Sequence, residues 1–180
     1  MTRLLVLLTL VIGLAAMGMA EPAVAAMWGN IEPGVTTLEQ VRDLYGRPTR
    51  ETTAKVEGYD TSQWVYERSQ APEGLIRLTV DFGLLTPSGY QPLVVRLVTL
   101  DPKPLIFGRK TVIDGWGLPD REGSMEGLPT FIYRDGLFVL FEKKPPPKKD
   151  EEEEDNSISA VRLIFSIPQP APGEKPAPKQ

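Results

Sequence analysis

The stretch Pro33-Gly34-Val35-Thr36-Thr37-Leu38-Glu39-Gln40-Val41-Arg42-Asp43-Leu44-Tyr45-Gly46-Arg47-Pro48 decides the fold of this 180-residue chain. Its apolar residues recur at helical spacing, which predicts a short amphipathic helix over residues 37–45. Thr36 and Glu39 fit a capping box, with Thr36 at the N-cap. A helix of about nine residues is not stable alone, so we expect it to pack on other structure.

The end of this helix is repeated later in the chain. Gly46 is expected to stop the helix in a left-handed conformation, and Pro48 to keep it from resuming. The stretch Lys110-Thr111-Val112-Ile113-Asp114-Gly115-Trp116-Gly117-Leu118-Pro119 is a weaker echo of the same motif. It predicts a second helix near residues 107–116, although internal glycines weaken the helical signal there.

Each copy of the motif is followed by three apolar segments that read as strands. They cover residues 62–68, 75–82 and 93–100 after the first copy, and 130–134, 137–143 and 158–167 after the second. We therefore predict an α+β fold of two tandem units, each a short helix plus a three-stranded antiparallel meander, side by side as one continuous sheet. A Pro-rich break at residues 101–104 divides the chain into a first unit, residues 26–100, and a divergent second unit, residues 101–168.

The N-terminus is typical of a secretory signal peptide. Arg3 precedes an apolar run over residues 4–18, and Ala23-Val24-Ala25 provides a cleavage signal. We predict a signal peptide over residues 1–25, cleaved after Ala25, and a periplasmic or secreted protein. An uncleaved signal anchor is the alternative. The chain has no cysteine, so we expect no lipid anchor, while peripheral membrane association stays open.

Two segments have compositions that cannot bury apolar area. Residues 143–156 run from lysine and proline into a block of acidic residues. We predict a solvated loop there, and the alternative is a weak contact with a cation or a basic partner. Residues 169–180 are rich in proline, alanine and lysine, which predicts a disordered tail.

Composition argues against several classes of function. The net charge of −4 disfavours nucleic acid as a partner, because phosphate binding needs clustered Lys and Arg. The chain has no histidine, so the commonest general base and metal ligand are both missing. Nothing indicates that the strand carboxylates Asp81 and Glu142 converge for acid–base work. We therefore predict no catalytic residue, no cofactor and no metal.

The polar face of the sheet is the candidate binding site. Strand alternation places Arg77, Asp81 and Arg96 on one face, with Arg162 expected at the position of Arg96 in the second unit and Arg134 nearby. Arginine is enriched in binding hot spots, so these five residues are the predicted partner-binding face. The competing interpretation is a solvated face of a sheet buried on one side. The strand aromatics are expected in the core; they are Trp64, Tyr66, Phe131 and Tyr133.

The first motif also carries a family resemblance. The pattern of Gly34, Thr36, Val41, Gly46 and Pro48, followed by Trp64-x-Tyr66 and Val80-Asp81-Phe82, resembles the SmpA/OmlA (BamE-like) family. As a tandem, the chain resembles the BLIP-like superfold, in which two such units stand side by side. The resemblance implies a non-catalytic envelope protein that binds a protein or an envelope component, in the manner of outer-membrane assembly accessories. The alternative is a secreted protein inhibitor or small-ligand-binding module of BLIP-like type.

Overall fold

The computed structural model describes residues 25–143 and 158–168. The predicted signal peptide apart from Ala25, nearly all of the charged loop, and the C-terminal tail lie outside the described residues. Within the described ranges, no helix has the length and apolar character that a membrane span requires.

Besides a single 3-10 turn at Arg68–Gln70, the described chain forms two short α-helices and eight strands. In chain order they are α1 (Leu38–Tyr45), β1 (Arg50–Val56), β2 (Tyr59–Glu67), β3 (Leu75–Thr86), β4 (Gly89–Pro102), α2 (Arg109–Trp116), β5 (Arg121–Met125), β6 (Leu128–Ile132), β7 (Leu137–Phe141) and β8 (Ala160–Ser166). All eight strands belong to one antiparallel sheet, in the order β1-β2-β3-β4-β8-β7-β6-β5. The pairing of β4 with β8 joins the two halves, and β1 and β5 form the two edges.

The predicted architecture of two helix-plus-three-stranded units is wrong. The described structure is mostly one eight-stranded antiparallel sheet, in which four strands follow each helix. Sequence patterning missed β1 and β5, the first strand after each helix. Every residue of β1 is exposed, as are all but the last residue of β5. Such strands have no buried face, so their sequences lack the apolar alternation from which a strand is inferred.

The N-cap of α1 lies one residue later than predicted. Thr37 caps the helix, because its hydroxyl oxygen accepts the Gln40 N–H. In return, the side-chain oxygen of Gln40 accepts the Thr37 N–H at 2.8 Å. Thr36 instead is buried, and its hydroxyl oxygen accepts the Glu32 N–H at 2.8 Å. The predicted pair Thr36 and Glu39 therefore does not form the capping box. Because Thr36 and Thr37 are adjacent, the sequence is compatible with an N-cap at either residue.

The same hydrogen bond ties each helix end to the sheet. The Tyr66 hydroxyl donates to the Gly46 carbonyl at 3.1 Å, and the Tyr133 hydroxyl donates to the Gly117 carbonyl at 3.0 Å. Both glycines end their helices with positive φ angles, 74° and 81°. The Gly-x-Pro motif is thus a helix stop whose glycine carbonyl accepts a hydrogen bond from a buried tyrosine, in β2 for Tyr66 and directly after β6 for Tyr133.

The core lies between the helices and one face of the sheet. The four aromatics predicted there are all buried, which confirms that expectation. A single cluster of buried apolar residues extends across both halves. Trp28, which precedes α1, packs edge-on against Phe107 at 6.2 Å and lies 6.3 Å from Phe165, both in the second half. The N-terminal segment therefore links the two halves through the core as well as through the sheet.

Candidate functional site on the helix-free face

The face of the sheet opposite α1 and α2 is here called the helix-free face. Strand alternation sends one set of side chains into the core and the other set to this face. Register places Arg77 opposite Asp101 and Asp81 opposite Leu97 on this face. Arg162 lies beside Asp101 on the adjoining β8.

Four strands contribute to a row of alternating charges on this face. Arg77 lies 3.7 Å from Glu67 on one side and 3.7 Å from Asp101 on the other. Arg162 continues the row, 3.0 Å from Asp101 and 3.0 Å from Glu126 in the β5–β6 turn. We call these five residues the ion ladder. Two arginines alternate with three carboxylates, so the formal charges of the ladder leave one negative charge in excess, and the ladder is not a positive patch.

Arg96 has fewer carboxylate contacts than the ladder arginines. Its Nη2 lies 3.8 Å from Asp81 Oδ1, and Asp81 also accepts a 2.9 Å hydrogen bond from Gln63 Nε2. The Nε atom of Arg96 is buried and has no hydrogen-bond partner within residues 25–143 and 158–168. A buried donor without an acceptor costs roughly 1–3 kcal/mol. This nitrogen is closed to solvent, so a partner would meet the rest of the Arg96 side chain, which is 34% exposed.

A β-bulge sets the position of Arg96, and it changes the expected correspondence between the halves. Arg96 is the extra residue of a bulge in β4, next to the pair of Leu97 with Asp81. Val161 is the extra residue of the matching bulge in β8. Arg162 therefore corresponds to Leu97, and the expectation that it stands in the position of Arg96 is wrong. The repeated Val-Arg-Leu letters are offset by one residue from the structural repeat.

Arg134 is placed apart from the other four predicted residues. It follows β6, and its Nε and backbone N–H both donate to Asp120, the latter at 2.8 Å. The backbone N–H of Arg134, with smaller contributions from its guanidinium, lowers the pKa of Asp120. This pair lies beside the edge strand β5, whereas the ladder crosses β2, β3, β4 and β8. The structure thus brings Arg77, Asp81, Arg96 and Arg162 to one region and leaves Arg134 outside it.

An apolar strip on the same face was not predicted from the sequence. Ile164, Phe138 and Ile132 are direct cross-strand neighbours on β8, β7 and β6. Leu97 lies on β4, one strand beyond β8, and all four side chains are half-buried. We call these four residues the apolar strip. Their strands carry apolar residues on both faces, so the apolar pattern alone could not distinguish the strip from the core. The available signal was the alternation of Phe138 with Val139, which is buried in the core.

The two candidate carboxylates for acid–base work lie in different places. Asp81 is held by Gln63, while Glu142 accepts the Ser159 N–H at 2.9 Å near the β7–β8 connection, so the two carboxylates considered for acid–base work do not meet. In the part of the chain that the structure describes, no cluster of three or more His, Cys, Asp or Glu side chains could hold a metal ion.

Comparison of the chain with models of protein families, with curated proteins and with solved structures finds no match. The resemblance to the SmpA/OmlA family consequently rests on the sequence motif of the first half alone.

Proposed function

We propose that this protein is a non-catalytic binding protein of the cell envelope, outside the cytoplasm, that holds a protein partner or another envelope component on its helix-free face. The observation that carries the proposal is the position of Arg96 beside the apolar strip: its side chain is 34% exposed, and its guanidinium lies no nearer than 3.8 Å to Asp81. A cation with spare hydrogen-bonding capacity next to apolar side chains is the composition of a binding hot spot.

The ion ladder has a supporting role in this proposal. Its four ion pairs, three between neighbouring strands and one to the β5–β6 turn, restrain the side chains of β2, β3, β4 and β8 before a partner arrives. Fixed side chains lose less conformational freedom on binding, so the surface is pre-organised. The alternating charges also select a partner with matching charges more than they add affinity.

The location outside the cytoplasm is supported by the N-terminal sequence and by the SmpA/OmlA resemblance. Arg3, the apolar run and the Ala23-Val24-Ala25 signal suit export. The family resemblance suggests an accessory in outer-membrane assembly as the more specific role. A secreted inhibitor remains the second candidate, and it would use the same face. A ligand groove between helices and sheet is disfavoured, because the apolar core fills that space in the described structure.

Capture from envelope extracts tests the proposal, with one charge reversal on the face and one off it. Arg96→Glu places a carboxylate beside Asp81 and should reduce capture of the partner at least tenfold. Arg134→Glu is the matched control, because Arg134 is exposed and lies outside the site. Equal capture by the two variants would reject the helix-free face as the binding surface. A one-to-one complex with a single secreted enzyme would favour the inhibitor.

A further inference from the structure

Strand β1 is a long, regular edge that pairs with β2 alone among the described strands. Its seven residues, Arg50-Glu51-Thr52-Thr53-Ala54-Lys55-Val56, pair with β2 without a register shift. It contains no proline or glycine and no bulge, which are common protections of an edge strand. Within residues 25–143 and 158–168, no strand therefore pairs with the outer backbone groups of β1.

The hairpin turn determines which backbone groups point outward. Glu57 and Gly58 form the two-residue turn, both with positive φ, and Val56 and Tyr59 flank it. In such a hairpin the flanking residues form a hydrogen-bonded pair, and hydrogen-bonded pairs then alternate along the ladder. The backbone N–H and C=O groups of alternate β1 residues thus face away from β2; these residues are Glu51, Thr53 and Lys55.

We propose that β1 pairs antiparallel with β1 of a second copy of this chain, about a two-fold axis at Thr53. This register alone places Thr53 opposite its own copy and Glu51 opposite Lys55 of the other chain. The three outward-facing residues of each strand then form hydrogen-bonded pairs, giving about six inter-strand hydrogen bonds. The two eight-stranded sheets join into one, and the helix-free face stays open, so this inference does not depend on the proposed function.

Charge complementarity identifies the second copy as the occupant. One side of β1 carries Glu51, Thr53 and Lys55. Their cross-strand partners on β2 are Trp64, Ser62 and Asp60, in that order. Two-fold symmetry therefore repeats the Glu51–Lys55 contact twice and leaves no like charges opposed. Lys55 is exposed and lies 3.0 Å from Asp60 of its own chain, so its amine can bridge both carboxylates. The same lysine would oppose pairing with an arbitrary apolar strand, which favours self-recognition.

The other edge of the sheet lacks this pattern. β5 is shorter, with five residues, and Gly123 stands at its centre. By the same turn argument, the residues of β5 whose backbone groups face outward are Glu122 and Ser124. Neither is a cation that could pair with Glu122 of a second copy. β5 therefore provides a natural control.

Cysteine cross-linking tests the register directly, because the chain has no native cysteine. Under mild oxidation Thr53→Cys should form a disulfide-linked dimer, since the two-fold places both residues about 5.5 Å apart. Thr52→Cys is the control: it faces Ala54 of the partner, too far from its own copy to be bridged. Equal cross-linking at positions 52 and 53 would overturn the proposed register.

Sedimentation equilibrium across a concentration series tests the pairing itself. Thr53→Pro removes an outward N–H and should weaken the dimer at least tenfold, while Ser124→Pro on the other edge should not change its Kd. Glu51→Lys and Lys55→Glu should each weaken it, and the double exchange should restore it, with circular dichroism confirming the fold of every variant. A wild-type chain that stays monomeric at about 100 μM, or a dimer unaffected by Thr53→Pro, would reject the proposal.

Discussion

The two buried tyrosine hydroxyls show how single residues set the pH range of stability. Burial raises the pKa of Tyr66 and of Tyr133 to about 12, whereas a tyrosine in an unfolded chain ionises near pH 10. The folded state therefore keeps both protons to higher pH than the unfolded state does. The stability that the neutral phenols contribute is complete below about pH 10 and is lost as the pH rises towards about 12.

We expect Tyr66→Phe and Tyr133→Phe each to lower the free energy of unfolding by about 1 kcal/mol at neutral pH, because a helix-end carbonyl loses its donor. The double variant should also lose much of its alkaline pH dependence. Urea unfolding at pH 8 and pH 11 measures both effects. Tyr59→Phe, at an exposed position, is the control. An unchanged slope of stability with pH in the double variant would contradict the assignment.

Arg162 is the ladder residue whose loss should be most apparent. It bonds Asp101 and Glu126 at 3.0 Å each, and its side chain is 35% exposed. Arg162→Gln removes the charge and should cost about 1 kcal/mol of folding stability, discounted for solvent screening. The loss should shrink in high salt. The same substitution at Arg134 should have a smaller effect, and thermal unfolding at two salt concentrations makes the comparison. Equal losses at both sites would exclude a special role for the ladder.

At the scale of elements, the cap of α1 provides a test of register. Thr37→Ala removes the side-chain acceptor of the Gln40 N–H and should lower the free energy of unfolding by about 1 kcal/mol. Glu39→Ala should have little effect, since Glu39 is exposed and takes no part in the cap. Urea titration distinguishes the two. A larger loss at Glu39 would favour the capping box predicted from the sequence.

Elements were predictable from sequence where one face is buried. The strands that contain Trp64, Val80 and Val139 were found, because burial imposes an apolar pattern on them. β1 was not found, because all its side chains are exposed, so that no buried face imposes an apolar pattern on its sequence. The position of Arg96 depends on a bulge. One extra residue in a strand reverses the face of the sheet to which each later side chain points. No local pattern in the sequence marks that bulge.

At the scale of the whole molecule, the two halves should unfold together. One apolar cluster spans both, β4 pairs with β8, and Trp28 packs on the second half. Residues 26–102 produced alone would expose the apolar side of β4 and lose the contacts of Trp28. We expect that fragment to lack a cooperative thermal transition, whereas the full chain should show one. Two resolved transitions in the full chain would show that the halves are independent.

The binding proposal also belongs to this scale, because the helix-free face is assembled from both halves. The sequence suggested four of its charged residues but not the ladder partners Glu67, Asp101 and Glu126, since their pairing depends on strand register. The apolar strip was likewise hidden within strands that are apolar on both faces. A face built from distant strands is specified only when the register of the whole sheet is known.

Site-specific photo-cross-linking in the native envelope tests the binding proposal most directly. A benzophenone side chain in place of Phe138 would stand on the apolar strip, and one in place of Leu44, which is 42% exposed on α1, would stand on the opposite side of the sheet. We predict a discrete cross-linked partner from position 138 and none of that product from position 44. No product from position 138, or the same product from both positions, would contradict a binding role for the helix-free face.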